Sequence, residues 1–346
     1  MRLSYSQRIT AFFAMNIQHN TQLQTYNSFR TQAVAKLFAQ TETIEELLEV
    51  LQKYPNEEKL ILGNGCNLFF TKDYNGLIIK PSMKGIRIIN KTTNHVDIEA
   101  GAAEDWDDFV DYCVTKGWSG IENLSLIPGS VGAAPIQNIG AYGTEVKNVI
   151  VTVNAVDITT GNIISFNNED CLFEYRDSIF KKTRRYVITS VVFRLSKQFT
   201  YVEKYIDLKK ELEGISSPTL LQVRNAIINI RNRKLPNHKV TPNAGSFFKN
   251  PILTSADKDE LLNILPEAPI YDYKNNLFKT SAAYLIEKAG YKGRRNGNVG
   301  TYPNHALIIV NYGTNSGEDI ADFMKEIQKT VDSEFKIKLE PEVWIF

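Results

Sequence analysis

The chain is short of several things, and each shortage removes a class of function. Only three cysteines occur in 346 residues, Cys66, Cys113 and Cys171, far apart and without CxxC spacing. Neither a disulfide framework nor a zinc site follows, and a reducing compartment, the cytoplasm, fits best. The four histidines, His19, His95, His238 and His305, are scattered, with no ligand spacing and no Ser or Cys partner, so they read as surface or core residues and no metal is implied. Charge nearly cancels, with 40 Lys and Arg against 39 Asp and Glu, which gives no electrostatic case for nucleic acid or an anionic membrane as a partner. No apolar run approaches the roughly 18 residues of a membrane span. The opening "MRLSYSQRITAFFAMN" has early arginines, but its apolar part is only "AFFAM" and no small-residue cleavage site follows. Residues 1–20 are therefore expected to be a disordered lead, or to reflect a true start at Met15, rather than a signal peptide. Internal repeats and low-complexity tracts are missing too.

What is present is an ordinary globular composition, 43% hydrophobic and 11% aromatic, on a chain long enough for two or three domains. "TIEELLEVLQKYP" reads as a helix, with Thr43 and Glu46 at capping-box spacing. Short strands are expected at "KLIL", "GLIIKPS", "GIRIIN", "HVDIEAG", "VIVTVNAVDI" and "RRYVITSVVFRL", with a helix at "DWDDFVDYCVTKG" between them. Near residue 215 the texture changes. "SPTLLQVRNAIINIRNRKLP" reads as a helix ended by Pro236, then helices ("SAAYLIEKAG", "SGEDIADFMKEIQKTVDSEF") alternate with strands ("HALIIVN", "IKLEPEVWIF"). The apolar stripe of "SGEDIADFMKEIQKTV" is read as packing rather than a partner site. The expected fold class is α+β: a bipartite strand-rich part over 21–215, dividing near 82, and a smaller α/β part over 216–346.

Two glycine loops carry the first functional signal. "GNGCN" (Gly63 to Asn67) follows an apolar strand, and "PGSVGAAPIQNIGAYG" holds four glycines in sixteen residues. Glycine lets backbone N–H groups approach a ligand and form a concave, partly positive nest. Leu68 stands where GxGxxG needs its third glycine, so a Rossmann domain is not supported, and no Walker lysine is present. A diphosphate held by backbone rather than by charge points to a dinucleotide. A third stretch, "TPNAGSFFKNP", sets the Ser246 hydroxyl between a glycine and two phenylalanines, either as a turn cap or as a proton donor shielded from water.

The blocks "ILGNGCNLFF", "GIENLSLIPGSVGAAPIQNIGAYGTEV", "CLFEYRDSIFK", "RNRKLPNHKVTPNAGSFFKNP" and "LEPEVWIF" stand in the order and spacing of one family. From Tyr26 onward the chain closely resembles the UDP-N-acetylenolpyruvoylglucosamine reductases, flavoenzymes of bacterial cell-wall precursor synthesis, in the longer form with a tyrosine-bearing loop. The resemblance implies a two-part FAD-binding domain of the vanillyl-alcohol-oxidase/PCMH type and a C-terminal substrate domain, in a cytoplasmic monomer. FAD would be non-covalent, with NADPH as co-substrate. Its diphosphate and ribityl chain would lie against Gly63, Asn64, Gly65, Cys66, Asn67 and Leu68, and against Pro128, Gly129, Ser130, Gly132, Ala133, Asn138, Gly140, Ala141, Tyr142 and Gly143. NADPH would reduce the flavin and leave, and flavin N5 would then pass a hydride to the vinyl carbon of the enolpyruvyl sugar nucleotide.

Hydride arriving at the β-carbon pushes charge onto the α-carbon and carboxylate, so the protein must supply fixed donors and an acid. By resemblance Ser246 gives the proton, and Arg176, whose planar fork suits a carboxylate, holds the developing enolate. Glu342 is the third active residue, either as a neutral acid or as an orienter of Arg176 and a water, with Glu340 the competing assignment. Lys234 and Asn250 match the substrate-phosphate positions, Arg231 is a third, and Tyr205 matches the mobile-loop tyrosine. The chain departs from the pattern in Ile206, where glycine is usual, in Cys66 for serine, and in Trp344 where arginine is frequent. No metal is implied, although the family responds to monovalent cations. An oxidase or dehydrogenase of another small substrate on the same scaffold is the alternative, and relatives of that kind tether FAD through His or Cys. Protein denatured in acid should therefore release all of its flavin, with the polypeptide at its bare mass; a flavin adduct on Cys66 would favour the alternative.

Overall fold

The computed structural model of the chain describes residues 17–201 and 205–346. Strand β1 (Ile17–Gln22) is the outer strand of a four-stranded sheet with β2 (Val34–Thr41), β3 (Lys59–Ile61) and β5 (Tyr74–Pro81), in the order β1-β2-β5-β3. Part of the expected disordered lead is thus ordered: Ile17 to His19 pair with Ala39 to Leu37. Residues 1–16, including Met15, lie outside the described residues. β5 runs parallel to both neighbours, which explains its unbroken apolar "LII", buried on two faces. Helix α1 (Ile44–Lys53) packs Leu47, Val50 and Leu51 against Leu37, Ala39, Leu77 and Ile79 of this sheet. Its capping box is half made. The Thr43 hydroxyl accepts from Glu46 N at 3.1 Å, but the Glu46 carboxylate accepts from Glu42 N at 2.7 Å.

After the short β4 (Leu68–Phe69) the chain builds a five-stranded antiparallel sheet. It comprises β6 (Ile86–Lys91), β7 (His95–Gly101), β10 (Ile150–Asp157), β11 (Ile163–Asn167) and β12 (Tyr186–Ser196), with a two-stranded ribbon, β8 (Gly140–Ala141) and β9 (Thr144–Glu145), inside the glycine loop. Helix α2 (Trp106–Thr115), capped by Asp105, buries Trp106, Phe109, Val110 and Cys113 against this sheet. The short α3 (Ile179–Thr183) adds Phe180 to the same core.

Helix α4 (Ile206–Glu211) packs on α5 (Leu220–Lys234), which Thr219 and Gln222 close with a complete capping box. From the sequence α5 opens the C-terminal part, but its buried Arg224 donates to Asp107 (2.7 and 3.2 Å) and Asp111 (3.1 Å) of α2. Structurally it belongs with the second sheet. The C-terminal core then gathers β13 (Ile252–Leu253), β14 (Ile270–Asp272), β15 (Phe278–Thr280), β16 (Arg295–Asn296), β17 (Val299–Tyr302) and β18 (His305–Asn311) with helices α6 (Ser255–Ile264), α7 (Ala282–Lys288) and α8 (Gly317–Phe335). α6 has no counterpart in the sequence reading, because its apolar residues show no clear face. α8 buries Ile320, Phe323, Met324, Ile327, Val331 and Phe335, as its stripe implies.

The expected strand over "IKLEPEVWIF" shrinks to β19 (Trp344–Ile345), parallel to β4. Pro341 carries no N–H donor, and the backbone around it bonds elsewhere: Lys249 N donates to Glu340 O at 2.9 Å and Glu342 N to Phe247 O at 2.8 Å. Phe29, Phe69 and Phe247, all fully buried, meet at ring separations of 5.3 to 6.0 Å and tie the N-terminal part to the C-terminal core. Among the described residues no helix is long and apolar enough to cross a membrane.

Buried Asp157 closes the β10–β12 edge by accepting from Arg185 Nε (2.8 Å) and from Thr159 N (2.8 Å). The Arg185 hydrogen bond leads in holding its pKa down to about 2. A depressed carboxylate contributes stability above its unfolded value and loses it as pH falls through the folded one. Asp157→Asn should therefore cost about 1.5–3 kcal/mol at pH 7. The difference from the parent should close between about pH 4 and pH 2, as read from melting curves across that range.

Candidate active site

Two cavities meet at the seam between these parts. The larger, about 250 Å³, lies between the two glycine loops, and Gly63, Asn64, Gly65, Cys66, Asn67 and Leu68 line it opposite Pro128, Gly129, Ser130, Gly132 and Ala133. The first loop is held by its carbonyls and side chains: Gly65 O accepts from Ser28 N at 3.0 Å, and the Asn64 amide donates to Gly129 O at 3.0 Å. No protein acceptor meets the N–H groups of Gly63 through Asn67 among the described residues, leaving a run of donors of the kind that holds a diphosphate. Gly65 has φ +68°, and a Cβ there would stand 2.0 Å from Tyr26 O, so no other residue fits. The remaining wall is mostly apolar and aromatic: Trp106, Tyr186, Ile188, Trp344 and Phe346. Arg184 stacks on Trp344 at 4.4 Å, which places a guanidinium at the wall. Burial, with Asp105 adding to it, pushes the Cys66 thiol up to about 11, so it stays neutral near pH 7.

The smaller cavity, about 160 Å³, shares Cys66, Asn67, Pro128, Gln137 and Ile139 with the larger one and adds Gly140, Ala141, Arg176, Arg231, His238, Ser246 and Glu342. Arg176 sits at φ +53° and is anchored from the glycine loop. Its Nη2 donates to Gly140 O at 2.6 Å and Nη1 to Asn138 O at 3.3 Å, while Nε faces Glu342 Oε1 at 3.4 Å. A Cβ on Gly140 would stand 3.0 Å from that guanidinium, from Glu145 Cγ and from Thr144 O, so a larger residue there would crowd the Arg176 anchor. Glu342 is 9% exposed. Burial raises its pKa above the ordinary carboxylate value, against the opposing pull of Arg176, Lys181 and Lys249. Ser246 is exposed in the cavity between Gly245 at φ +74° and buried Phe247, whose N–H donates to Leu307 O at 2.9 Å. Glu342 N bonds Phe247 O, so the carboxyl and the hydroxyl are fixed to the same strip of backbone. Glu340 points the other way, 74% exposed and paired with Lys249 at 3.2 Å.

Several sequence-selected residues fall outside this site. Asn138 is fully buried, and its amide is spent on Glu145 (3.1 Å), Glu174 O (3.0 Å) and Lys147 N (3.1 Å). Tyr142 and Gly143 line neither cavity. Tyr142 packs edge-on to Tyr205 at 5.9 Å, and Tyr205 is exposed at the start of α4, next to residues 202–204, which are not described. Gly140 and Ala141 line only the smaller cavity. Lys234 pairs with Asp207 at 2.5 Å, and Asn250 accepts from Ala282 N at 3.0 Å, capping α7; neither lines either of these two cavities. Of the phosphate candidates Arg231 alone lies in the pocket, with Nε buried and without a hydrogen bond. Sequence reading passed over His238, Lys181 and Gln137. Gln137 lies beside the chosen Asn138, and only the turn's geometry tells which of the two faces the cavity.

The profile of an FAD binding domain matches residues 35–167, a span that contains both loops. FAD is the cofactor, and the unpaired N–H run, the glycine-backed rim and the aromatic wall suit it. Gly65→Ala should lose most of its bound flavin, as read from the flavin-to-protein absorbance ratio; full occupancy with an unshifted melting point would contradict the close approach to Tyr26.

The profile of the UDP-N-acetylenolpyruvoylglucosamine reductase C-terminal domain matches residues 236–346. A UDP-N-acetylenolpyruvylglucosamine reductase structure from Thermus caldophilus shares the fold, with a TM-score of 0.70 at 22% identity over 96% of this chain and 99% of that one. Relatives named UDP-N-acetylenolpyruvoylglucosamine reductase are 45% identical in Flavobacterium johnsoniae and 42% in Amoebophilus asiaticus, each over 95% of this chain and 99% of the relative. With Arg176, Ser246 and Glu342 meeting in one cavity beside the FAD loops, the chain belongs to the UDP-N-acetylenolpyruvoylglucosamine reductase family.

Proposed function

We propose that the chain reduces UDP-N-acetylglucosamine enolpyruvate to UDP-N-acetylmuramate with NADPH as reductant, and that Arg176, Ser246 and Glu342 carry the protein's share of the chemistry. The observation that supports this most is their convergence on a cavity sharing a wall with the FAD site. FAD, when bound, supplies hydride chemistry that no side chain offers. Reduction of the vinyl group adds one hydride to the β-carbon and one proton to the α-carbon, and negative charge gathers on the α-carbon and carboxylate in between. Arg176 is pre-oriented by two backbone carbonyls and half-buried, so its charge is available there without reorganisation. Ser246 is the proton donor to the α-carbon, held in place by the buried Phe247 that follows it. Glu342, with its raised pKa, restores the proton to the serine or orients Arg176.

Arg231, the one phosphate candidate that lines the smaller cavity, is the cation that meets an anionic part of the substrate. Lys234 must first exchange Asp207 for a phosphate. In this reading the FAD-binding part includes α5, and the boundary with the substrate part falls near residue 236 rather than 215. Ser246→Ala should leave flavin reduction by NADPH intact and slow flavin reoxidation by the enolpyruvyl substrate by about 10²–10⁴-fold, as followed by anaerobic stopped-flow absorbance. Reoxidation at the parent rate would remove Ser246 from the mechanism.

A further inference from the structure

Behind Glu342 lies a set of polar groups whose hydrogen-bonding roles are forced. Asn67 Nδ2 donates to the Glu342 carbonyl at 3.3 Å, and a carbonyl only accepts, so the Asn67 amide has one orientation. The same Nδ2 donates to Gln137 Oε1 at 2.8 Å. The Lys181 ammonium, which only donates, is fixed by the Arg176 carbonyl at 3.0 Å and approaches the same Gln137 oxygen at 3.5 Å. Two donors therefore converge on Oε1 of Gln137. Turning that amide over would set N–H against N–H at Asn67 and against the ammonium, and oxygen against oxygen at Glu342. The amide must present Nε2 to Glu342 Oε1, 3.3 Å away. Arg176 Nε, a second obligate donor, faces the same oxygen at 3.4 Å. Oε1 is thus held as an acceptor, and a proton on it would meet two donors.

We infer that Lys181 is a positioning residue that acts through Gln137, fixing Glu342 Oε1 as an acceptor and so reserving Oε2 as the oxygen that carries a proton. The inference deepens the role of Glu342 proposed above and rests on it. Glu342 and Ser246 line the same cavity and are fixed to the same backbone strip, and Oε2, the oxygen left without these two donors, is the one assigned to resupply the serine. The charged and titratable groups facing Glu342 are Arg176, Lys181, Lys249 and Tyr175. Those facing Lys181 are Glu342, Lys249, Asp177 and Arg176. Burial lowers the pKa of Lys181, while the nearby Glu342 carboxylate pulls it back up. Lys181 in turn stabilises the Glu342 anion, both directly and by holding the Gln137 dipole. Without it the carboxyl should give up its proton only at higher pH.

The test titrates Glu342 in FAD-loaded enzyme labelled with ¹³C at glutamate carboxyls, using Glu342→Gln to assign its resonance. Lys181→Met should raise the Glu342 midpoint by about one pH unit, and the pH limb of flavin reoxidation should move with it. Lys181→Arg should restore both. In a Gln137→Met background, Lys181→Met should produce less than half of that shift. An unchanged midpoint in Lys181→Met overturns the inference, and so does an equal shift in the Gln137→Met background, which would leave only a through-space charge effect. If Lys181→Met fails to retain flavin, Lys181→Gln replaces it with the same expected shift. Parent-rate reoxidation by Glu342→Gln would sink the proposed role of Glu342 instead, while the midpoints would still judge Lys181.

Discussion

A buried carboxyl beside a guanidinium, Glu342 against Arg176, is the contact on which the rest of this structure turns. Taking both groups out of water costs several kcal/mol, and their attraction repays it only when the remaining polar atoms are satisfied. Here the satisfaction comes from three directions. The glycine loop gives two carbonyls to Arg176, Gln137 gives an N–H to Glu342, and the 247–249 strip fixes the backbone on which Glu342 rides. The pair thus joins the loop before β8, the left-handed turn at Arg176, and the chain's last residues. Its geometry depends on parts of the molecule that are far apart in sequence, and the Phe29–Phe69–Phe247 cluster keeps them in register.

That arrangement explains why two cavities share a wall. Cys66, Asn67, Pro128, Gln137 and Ile139 face both, so in the proposed mechanism the wall of the cofactor cavity also shapes the space in which the substrate's charge would develop. A neutral thiol at position 66 keeps that wall uncharged, and among the described residues Arg176 and Arg231 bring fixed charge to the smaller cavity, with Glu342 and His238 as its titratable groups. The asymmetry between Glu340 and Glu342 follows from the same strip: alternate residues point to opposite sides, one to solvent and Lys249, the other inward.

Much of this was legible in the sequence, for identifiable reasons. Strands such as "HVDIEAG" and "VIVTVNAVDI" and the stripe of α8 declare themselves through local periodicity, and the glycine loops through residues that only a close backbone approach requires. The motifs that carry the family resemblance single out Ser246, Arg176 and Glu342, and the three share a cavity. What failed was non-local. Nothing within "PIQNIG" says that Gln137 faces the cavity while Asn138 turns inward to satisfy Glu145, Glu174 and Lys147. Nothing in "RNRKLP" says that Arg231 lines the site while Lys234 pairs with Asp207 of α4. "IKLEPEVWIF" alternates like a strand, yet Pro341 and the competing 247–249 backbone leave only two of its residues in a ladder. The capping of α7 by Asn250 is likewise invisible from its own neighbourhood.

Whether the guanidinium, the hydroxyl and the carboxyl surround one reacting alkene is decided by a crystal structure of the oxidised holoenzyme with the enolpyruvyl sugar nucleotide bound. That complex should hold the substrate carboxylate on Arg176, the Ser246 oxygen within about 3.5 Å of the α-carbon, and Glu342 behind them. A substrate whose α-carbon lies remote from Ser246, with its carboxylate held by other residues, would contradict it.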